Sequence, residues 1–387
     1  VKTDSLKIII LGPIYPYRGG IASDNEILAG ELIKLGHDVE VFTFSLQYPK
    51  FFFPGKTQFV EHQKAPDIPI SRKINSINPF NWLKVGLELR RKNADLIISR
   101  FWLPLIGPSI ASVALLGKQG RKRLHIGIID NIIPHEKRPG DRPFAKYYLW
   151  TLHGGIVMSK IVEKDVRTLS KRSLPLSLFS LPIYSQYGDK IKRDSALEQL
   201  KLDLQKKYIL FFGFIRKYKG LDLLLESMLE DRLLGEPDIH LIIAGEFYDD
   251  EERYLNLIND ERIKSRVHLF SDYIPEEDVR VFFSAADLVV QPYRTATQSG
   301  ITQIAYHFGI PMIVSNVGGL PDIVHDGDEG FVVDPEPGAI SKAIIRFFKE
   351  TDKEQMKKQV LESAKNFSGA AYASNLIKLY HKLRSNV

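Results

Sequence analysis

Four short segments of this 387-residue sequence combine residue types that bind phosphate or act on hydroxyl groups. The first is Gly12-Pro13-Ile14-Tyr15-Pro16-Tyr17-Arg18-Gly19-Gly20-Ile21, which follows an apolar run and opens a helical pattern. Gly19 and Gly20 admit close backbone approach to a ligand, and the free N–H groups of a helix start favour phosphate. A plain strand-to-helix turn uses the same residues. The segment lacks the G-x-G-x-x-G spacing, so hydride transfer with a nicotinamide is not supported. The second segment, Phe211–Gly220, places Gly213 after another apolar run and Arg216 and Lys219 at the mouth of a helix start. Two cations at a helix N-terminus suit a diphosphate, although a solvated basic turn has the same composition. The third segment, Gln291–Gln303, carries Gln298, Ser299, Gly300, Ile301 and Gln303 at a helix start. Small hydroxyl and amide groups there can hold sugar hydroxyls, and Ser299 or Thr297 can cap the helix. The fourth, Ile129–Lys137, offers Asp130, His135 and Glu136 at the end of an apolar run, where open α/β sheets bind ligands.

The elements that must position these segments alternate strand and helix. Strands are expected at Leu6–Leu11, Val39–Phe44, Leu96–Ser99, Leu124–Ile129 and Gly155–Ser159, with a helix over Ile21–Leu35. Runs apolar on both faces fit parallel strands covered by helices. The pattern restarts near residue 207. Strands are expected at Tyr208–Phe212, Ile239–Ala244, Val267–Phe270, Asp287–Val290, Met312–Ser315 and Phe331–Val333, and helices at Leu221–Leu229 and Ser299–Phe308. This is two successive α/β units, joined through the charged stretch Tyr184–Lys207. The last helix, about Ser368–Leu383, shows Leu376, Leu379 and Tyr380 on one face.

Composition removes several chemistries. The chain has no cysteine, which excludes disulfides, iron–sulfur clusters, thiolate zinc sites and a cysteine nucleophile. Ten histidines without H-E-x-x-H give no zinc signature, and no Walker loop or G-x-S-x-G elbow is present. The acidic clusters at 249–252 and 326–329 read as solvated charge. Phe101–Gly117 is the best membrane-spanning candidate, but it contains two prolines and falls short of the ~20 residues needed. It is expected to form a strand, loop and helix. Leu6–Leu11 is too short for a signal peptide core. Residues 1–185 hold 27 Lys+Arg against 15 Asp+Glu, and residues 186–387 hold 26 against 32. A basic first half implies an anionic partner: a phosphate-bearing substrate, an acidic lipid surface or nucleic acid. No nucleic-acid module is recognisable.

These residues are similar to those of retaining glycosyltransferases of the GT-B fold, in the group related to glycogen synthase and the phosphatidylinositol mannosyltransferases (glycosyl transferases group 1). The likeness rests on Gly19-Gly20, Gly213 to Gly220, Gly245-Glu246, Ala286-Asp287 before Pro292-Tyr293, and Gly309-Ile310-Pro311 running into Gly318-Gly319-Leu320-Pro321-Asp322. It implies an α/β protein with two Rossmann-like domains whose parallel sheets face a central cleft. Residues 1–185 would form the acceptor-side domain, residues 186–367 the nucleotide-sugar domain, and the helix at 368–387 would cross back. Three departures stand out. The positions where many members carry a glutamate pair are Ala296 and Ile304, the residue after Gly213 is Phe214 with the arginine displaced to Arg216, and the position of a common histidine holds Asp130.

The resemblance implies transfer of a hexose-type unit from a nucleotide-diphosphate sugar to a lipid-linked or cell-surface glycan precursor, without metal or cofactor. Arg216 and Lys219 would hold the diphosphate. Gly19, Gly20 and Gly213 would approach the donor, and Gln298, Ser299, Gly300 and Ile301 would line the sugar. Glu246 and Gln303 would lie near the nucleoside, and Asp130 or His135 would orient hydroxyls. The alternatives are a non-catalytic nucleotide-sugar-binding protein and a nucleotide-sugar epimerase. The expected location is cytoplasmic, with peripheral attachment to the inner membrane face. That expectation rests on the aromatic run at 48–54 and the basic runs at 90–92 and 118–123.

Overall fold

A computed structural model of the chain describes residues 5–49, 57–60, 65–118, 123–134, 139–183, 187–248 and 250–385. It divides into two units, Val1–Pro182 with Ser368–Val387, and Ile183–Phe367.

The first unit is built on strands β1 (Lys7–Leu11), β2 (Asp38–Leu46), β3 (Ile70–Asn75), β4 (Leu96–Phe101), β5 (Leu124–Ile129), β6 (Gly154–Val157) and β7 (Leu176–Leu178). All pair in parallel, in the order β3-β2-β1-β4-β5-β6-β7. Its helices are α1 (Gly20–Lys34), α2 (Pro79–Arg91), α3 (Gly107–Gly117), α4 (Asp141–Thr151) and α5 (Lys160–Leu169). Side chains alternate across a strand, so β1 serves two cores. Ile9 and Leu11 pack in the cluster that holds α2, α3, α4 and α5 residues, while Ile8 and Ile10 pack in the cluster that holds α1. Phe101–Gly117 is a strand end, a short 3-10 turn at Pro104–Ile106 and α3. Among the described residues no helix is long and apolar enough to cross a membrane.

The first helix of the second unit is α6 (Arg193–Gln199), short and within the charged joining stretch. Its strands are β8 (Lys207–Phe212), β9 (Ile239–Ala244), β10 (Val267–Phe270), β11 (Leu288–Gln291), β12 (Met312–Ser315) and β13 (Gly330–Val333), paired in parallel in the order β10-β9-β8-β11-β12-β13. The helices are α7 (Leu221–Met228), α8 (Asp231–Leu234), α9 (Glu251–Ile258), α10 (Glu276–Ala285), α11 (Gly300–Phe308), α12 (Pro337–Glu350) and α13 (Lys353–Ala364). The last helix, α14 (Gly369–Arg384), is capped by Ser368, whose Oγ accepts from the Ala371 N–H at 3.2 Å. It buries Tyr372, Leu376, Leu379 and Tyr380 in the core of the first unit.

In each sheet the winding reverses direction at the first strand of the unit, between β1 and β4 and between β8 and β11. Ligands of open α/β sheets bind outside the strand carboxyl ends at such a point. The loop holding Gly19 and Gly20 leaves β1, and the loop holding Gly213 and Lys219 leaves β8.

Candidate active site

At the carboxyl edge of the second sheet, Gly213 follows β8 and Gly245 follows β9. Both have positive φ, +93° and +145°. The Gly213 N–H donates to the Ala244 carbonyl at 2.8 Å, and a Cβ on Gly245 would stand 2.3 Å from the Gly213 oxygen. A Cβ on Gly213 would meet Lys219 Nζ at 3.0 Å and Ile301 Cδ1 at 3.3 Å. Gly213, Lys219 and Ile301 therefore share one locus, which accounts for glycine at that corner.

Arg216 precedes a 3-10 turn, Lys217–Lys219, and its carbonyl accepts from the Lys219 N–H at 2.8 Å. Its guanidinium lies 5.2 Å from the Tyr248 ring centroid, and Lys219 Nζ lies 5.7 Å from that of Tyr293. Among the described residues, neither cation pairs with a carboxylate. The acid nearest in sequence, Asp222 in the first turn of α7, is held by Arg294 at 2.6 and 2.9 Å and by Arg253. Burial, reinforced by the Arg216 charge, lowers the Lys219 pKa to about 8. A desolvated ammonium beside a second cation is electrostatically unsatisfied, and an incoming anion relieves both terms.

The segment after β11 brings Ile301 to this locus. Ser299 caps α11, its Oγ accepting from the Ile301 N–H at 3.2 Å. The Tyr293 hydroxyl lies 3.3 Å from the same Oγ, so one ring connects Lys219 to the start of α11. Tyr293 was given no role from sequence. Its signal was the Pro292-Tyr293 pair directly after a strand. Gly300 is the first residue of α11, and Gln298 is half-buried in the loop before it. Thr302 Oγ1 donates to Gln291 Oε1 at 3.2 Å. Gln303 is fully buried, and among the described residues neither its Oε1 nor its Nε2 has a hydrogen-bond partner. A buried amide left so costs about 1–3 kcal/mol per group. Glu246 follows Gly245, and its carbonyl accepts from the Ile215 N–H at 2.8 Å.

In the first unit, Gly19 takes φ +105° immediately before α1, where its carbonyl accepts from the Ala22 N–H at 2.9 Å. Gly20 is the first residue of that helix. Asp130 follows β5 and is buried. Its carboxylate accepts from Arg100 Nε at 2.6 Å and Nη2 at 2.5 Å, and the same Nη2 reaches Asp24 Oδ2 at 2.6 Å. Burial opposes the Arg100 charge, but Asp130 and Asp24 outweigh it and raise the pKa. Asp130, expected from sequence to orient substrate hydroxyls, here holds a buried ion pair with Arg100 that ties α1, β4 and the loop after β5 together. His135 and Glu136 lie outside the described residues.

Residues 192–384 match the family model described as glycosyl transferases group 1. The D-inositol 3-phosphate glycosyltransferase of Corynebacterium efficiens is 28% identical over 207 residues, 52% of this chain and 48% of that protein. The putative glycosyltransferase YtcC of Bacillus subtilis is 34% identical over 169 residues, 42% of this chain and 40% of that protein. The chain thus spans about half the length of the curated relatives it matches. Among solved structures, sucrose-phosphate synthase from Thermosynechococcus elongatus superimposes with TM-score 0.76 at 19% identity, covering 98% of this chain and 100% of that one. Anabaena HepE in complex with UDP-glucose gives 0.72 at 16%, covering 97% and 99%. These likenesses show the fold, the two-sheet GT-B architecture.

Proposed function

We propose that this chain, whose residues 192–384 belong to the glycosyl transferases group 1 family, moves a sugar from a nucleotide-diphosphate sugar to an acceptor with retention of configuration. The observation that carries this reading is the Lys219 ammonium, desolvated beside Gly213 and near the Arg216 charge, with no carboxylate partner for either cation among the described residues. Negative charge grows on the diphosphate as the glycosidic bond breaks. Fixed cations in a desolvated site stabilise that charge more than they stabilise the ground state. The side chain of Ile301, in the first turn of α11, reaches the same locus, and a helix N-terminus favours phosphate oxygen. The unmet amide of Gln303 on α11 suits a hydrogen-bonding ligand. The complex of HepE with UDP-glucose supports a nucleotide-sugar donor here. The basic first half supports a phosphate-bearing, lipid-linked acceptor.

Ala296 and Ile304 favour a second reading, a protein that binds the donor without turnover. Both are buried and apolar at the positions where many family members carry glutamates. Thermal unfolding with UDP and GDP comes first, since a ligand at 100 times its Kd stabilises by about 2.7 kcal/mol. A nucleoside-diphosphate release assay over a set of nucleotide sugars and acceptors then decides. Acceptor-dependent release is expected. Binding without release supports the second reading, and no stabilisation by any nucleotide contradicts both.

A further inference from the structure

Helix α2 presents two apolar faces. Val85, Gly86 and Leu89 are buried, with Val85 and Leu89 in the first unit's core. Phe80, Leu83 and Leu87 lie on the opposite side, spaced i, i+3 and i+7, and are 86%, 48% and 42% exposed. Ile77, just before the helix, is exposed as well. With about 3.6 residues per turn, Lys84, Arg90 and Arg91 fall on this same outward face, and all three are exposed. The one carboxylate of α2, Glu88, is turned aside into an ion pair with Lys73 of β3. The face therefore interleaves three large apolar side chains with three cations and no acid. In the same helical layer α4 exposes Trp150, one turn after Lys146.

We propose that the outward face of α2 docks this chain on an anionic lipid bilayer. Phe80, Leu83 and Leu87 enter the boundary between headgroups and acyl chains, and Lys84, Arg90 and Arg91 meet lipid phosphates. Charge selects this occupant. A second copy docked by the same face would bring two sets of three cations together with no acid on either face to pair with them, and like charges repel. The surface shares Arg90 and Arg91 with the one expected from sequence and otherwise differs from it. Within the basic runs, Lys92 is bound to Glu40 at 2.7 Å, Lys118 donates to the Thr151 carbonyl at 2.7 Å, and Arg123 is buried against the carbonyls of Ala94 and Leu89. Residues 50–56 and 119–122 lie outside the described ones. The inference is independent of the glycosyl-transfer reading.

Flotation of the full chain with vesicles tests it, using phosphatidylcholine alone and phosphatidylcholine with phosphatidylglycerol at low and high salt. Binding is expected only to the anionic vesicles and should fall with salt. Two variants, Phe80→Ser/Leu83→Ser/Leu87→Ser and Lys84→Glu/Arg91→Glu, should each weaken it by at least about tenfold. Their thermal unfolding should match the wild type, because the side chains changed are exposed. Four outcomes overturn the proposal: no binding at low salt, equal binding to neutral vesicles, undiminished binding by the charge-reversed variant, or a dimer in solution that the apolar variant dissolves while no vesicle is bound.

Discussion

Lys219 carries a charge that its surroundings oppose, and two predictions follow from this residue alone. Burial and the Arg216 charge lower its pKa to about 8 in the free protein. Its cationic form, the one proposed to bind diphosphate, prevails below that pH. Donor kcat/KM should be flat below about pH 8 and fall about tenfold per unit above it. Lys219→Arg should move that fall beyond the accessible range, which pH profiles of both proteins will show. A folded pKa below the unfolded one means that the unfolded state binds the extra proton, so the charge destabilises the apo protein near neutrality. Lys219→Met should therefore raise apo stability by about 1 kcal/mol while abolishing stabilisation by UDP or GDP. For Arg216→Ala, donor kcat/KM should fall about a hundredfold, as expected when a charge-assisted contact to the leaving group is lost. Activity within a factor of two would remove Arg216 from the clamp. These two cations were legible because they follow a strand and a glycine within one short segment. Arg100 was not. Its partners Asp24 and Asp130 are 76 and 30 positions away, and nothing local in the sequence at the end of β4 announces them.

At the scale of elements, strands apolar on both faces were legible because parallel strands between helical layers must be so. Edge strands were not. β3 is Ile-Ser-Arg-Lys-Ile-Asn and β7 has three residues, so neither shows a continuous apolar run. The start of α11 was legible as a cap, and Ser299 fills that place. The second apolar face of α2 emerged only once the first was seen buried, since spacing alone does not say which side meets the core. Elements of the first unit are fastened by the Arg100 pair of ion pairs, which gives a stability prediction. Arg100→Met leaves Asp24 and Asp130 buried without their cation and should cost about 3–5 kcal/mol, read from urea unfolding at neutral pH. Adding Asp24→Asn and Asp130→Asn to that variant should recover part of the loss. A single-variant cost below about 1 kcal/mol would show that the pair is not a fastening.

For the whole molecule, the family match covers residues 192–384, where the candidate diphosphate site lies, while most of the first unit is related to known proteins through its fold. The half proposed to bind the donor is therefore the one with family motifs in its sequence, and the proposed acceptor side is argued from charge. Both units end their central strands in loops that feed helix starts, and the leaving group is assigned to protein cations. Turnover should accordingly persist in excess EDTA, and loss restored by magnesium or manganese would contradict that assignment. The central claim, that Gly213, Arg216, Lys219 and the start of α11 hold the diphosphate, is tested most directly by a crystal structure with UDP or GDP bound. The account predicts phosphate oxygens within about 3.2 Å of Lys219 Nζ and of an N–H at the start of α11. A nucleotide bound with its diphosphate away from both groups would contradict it.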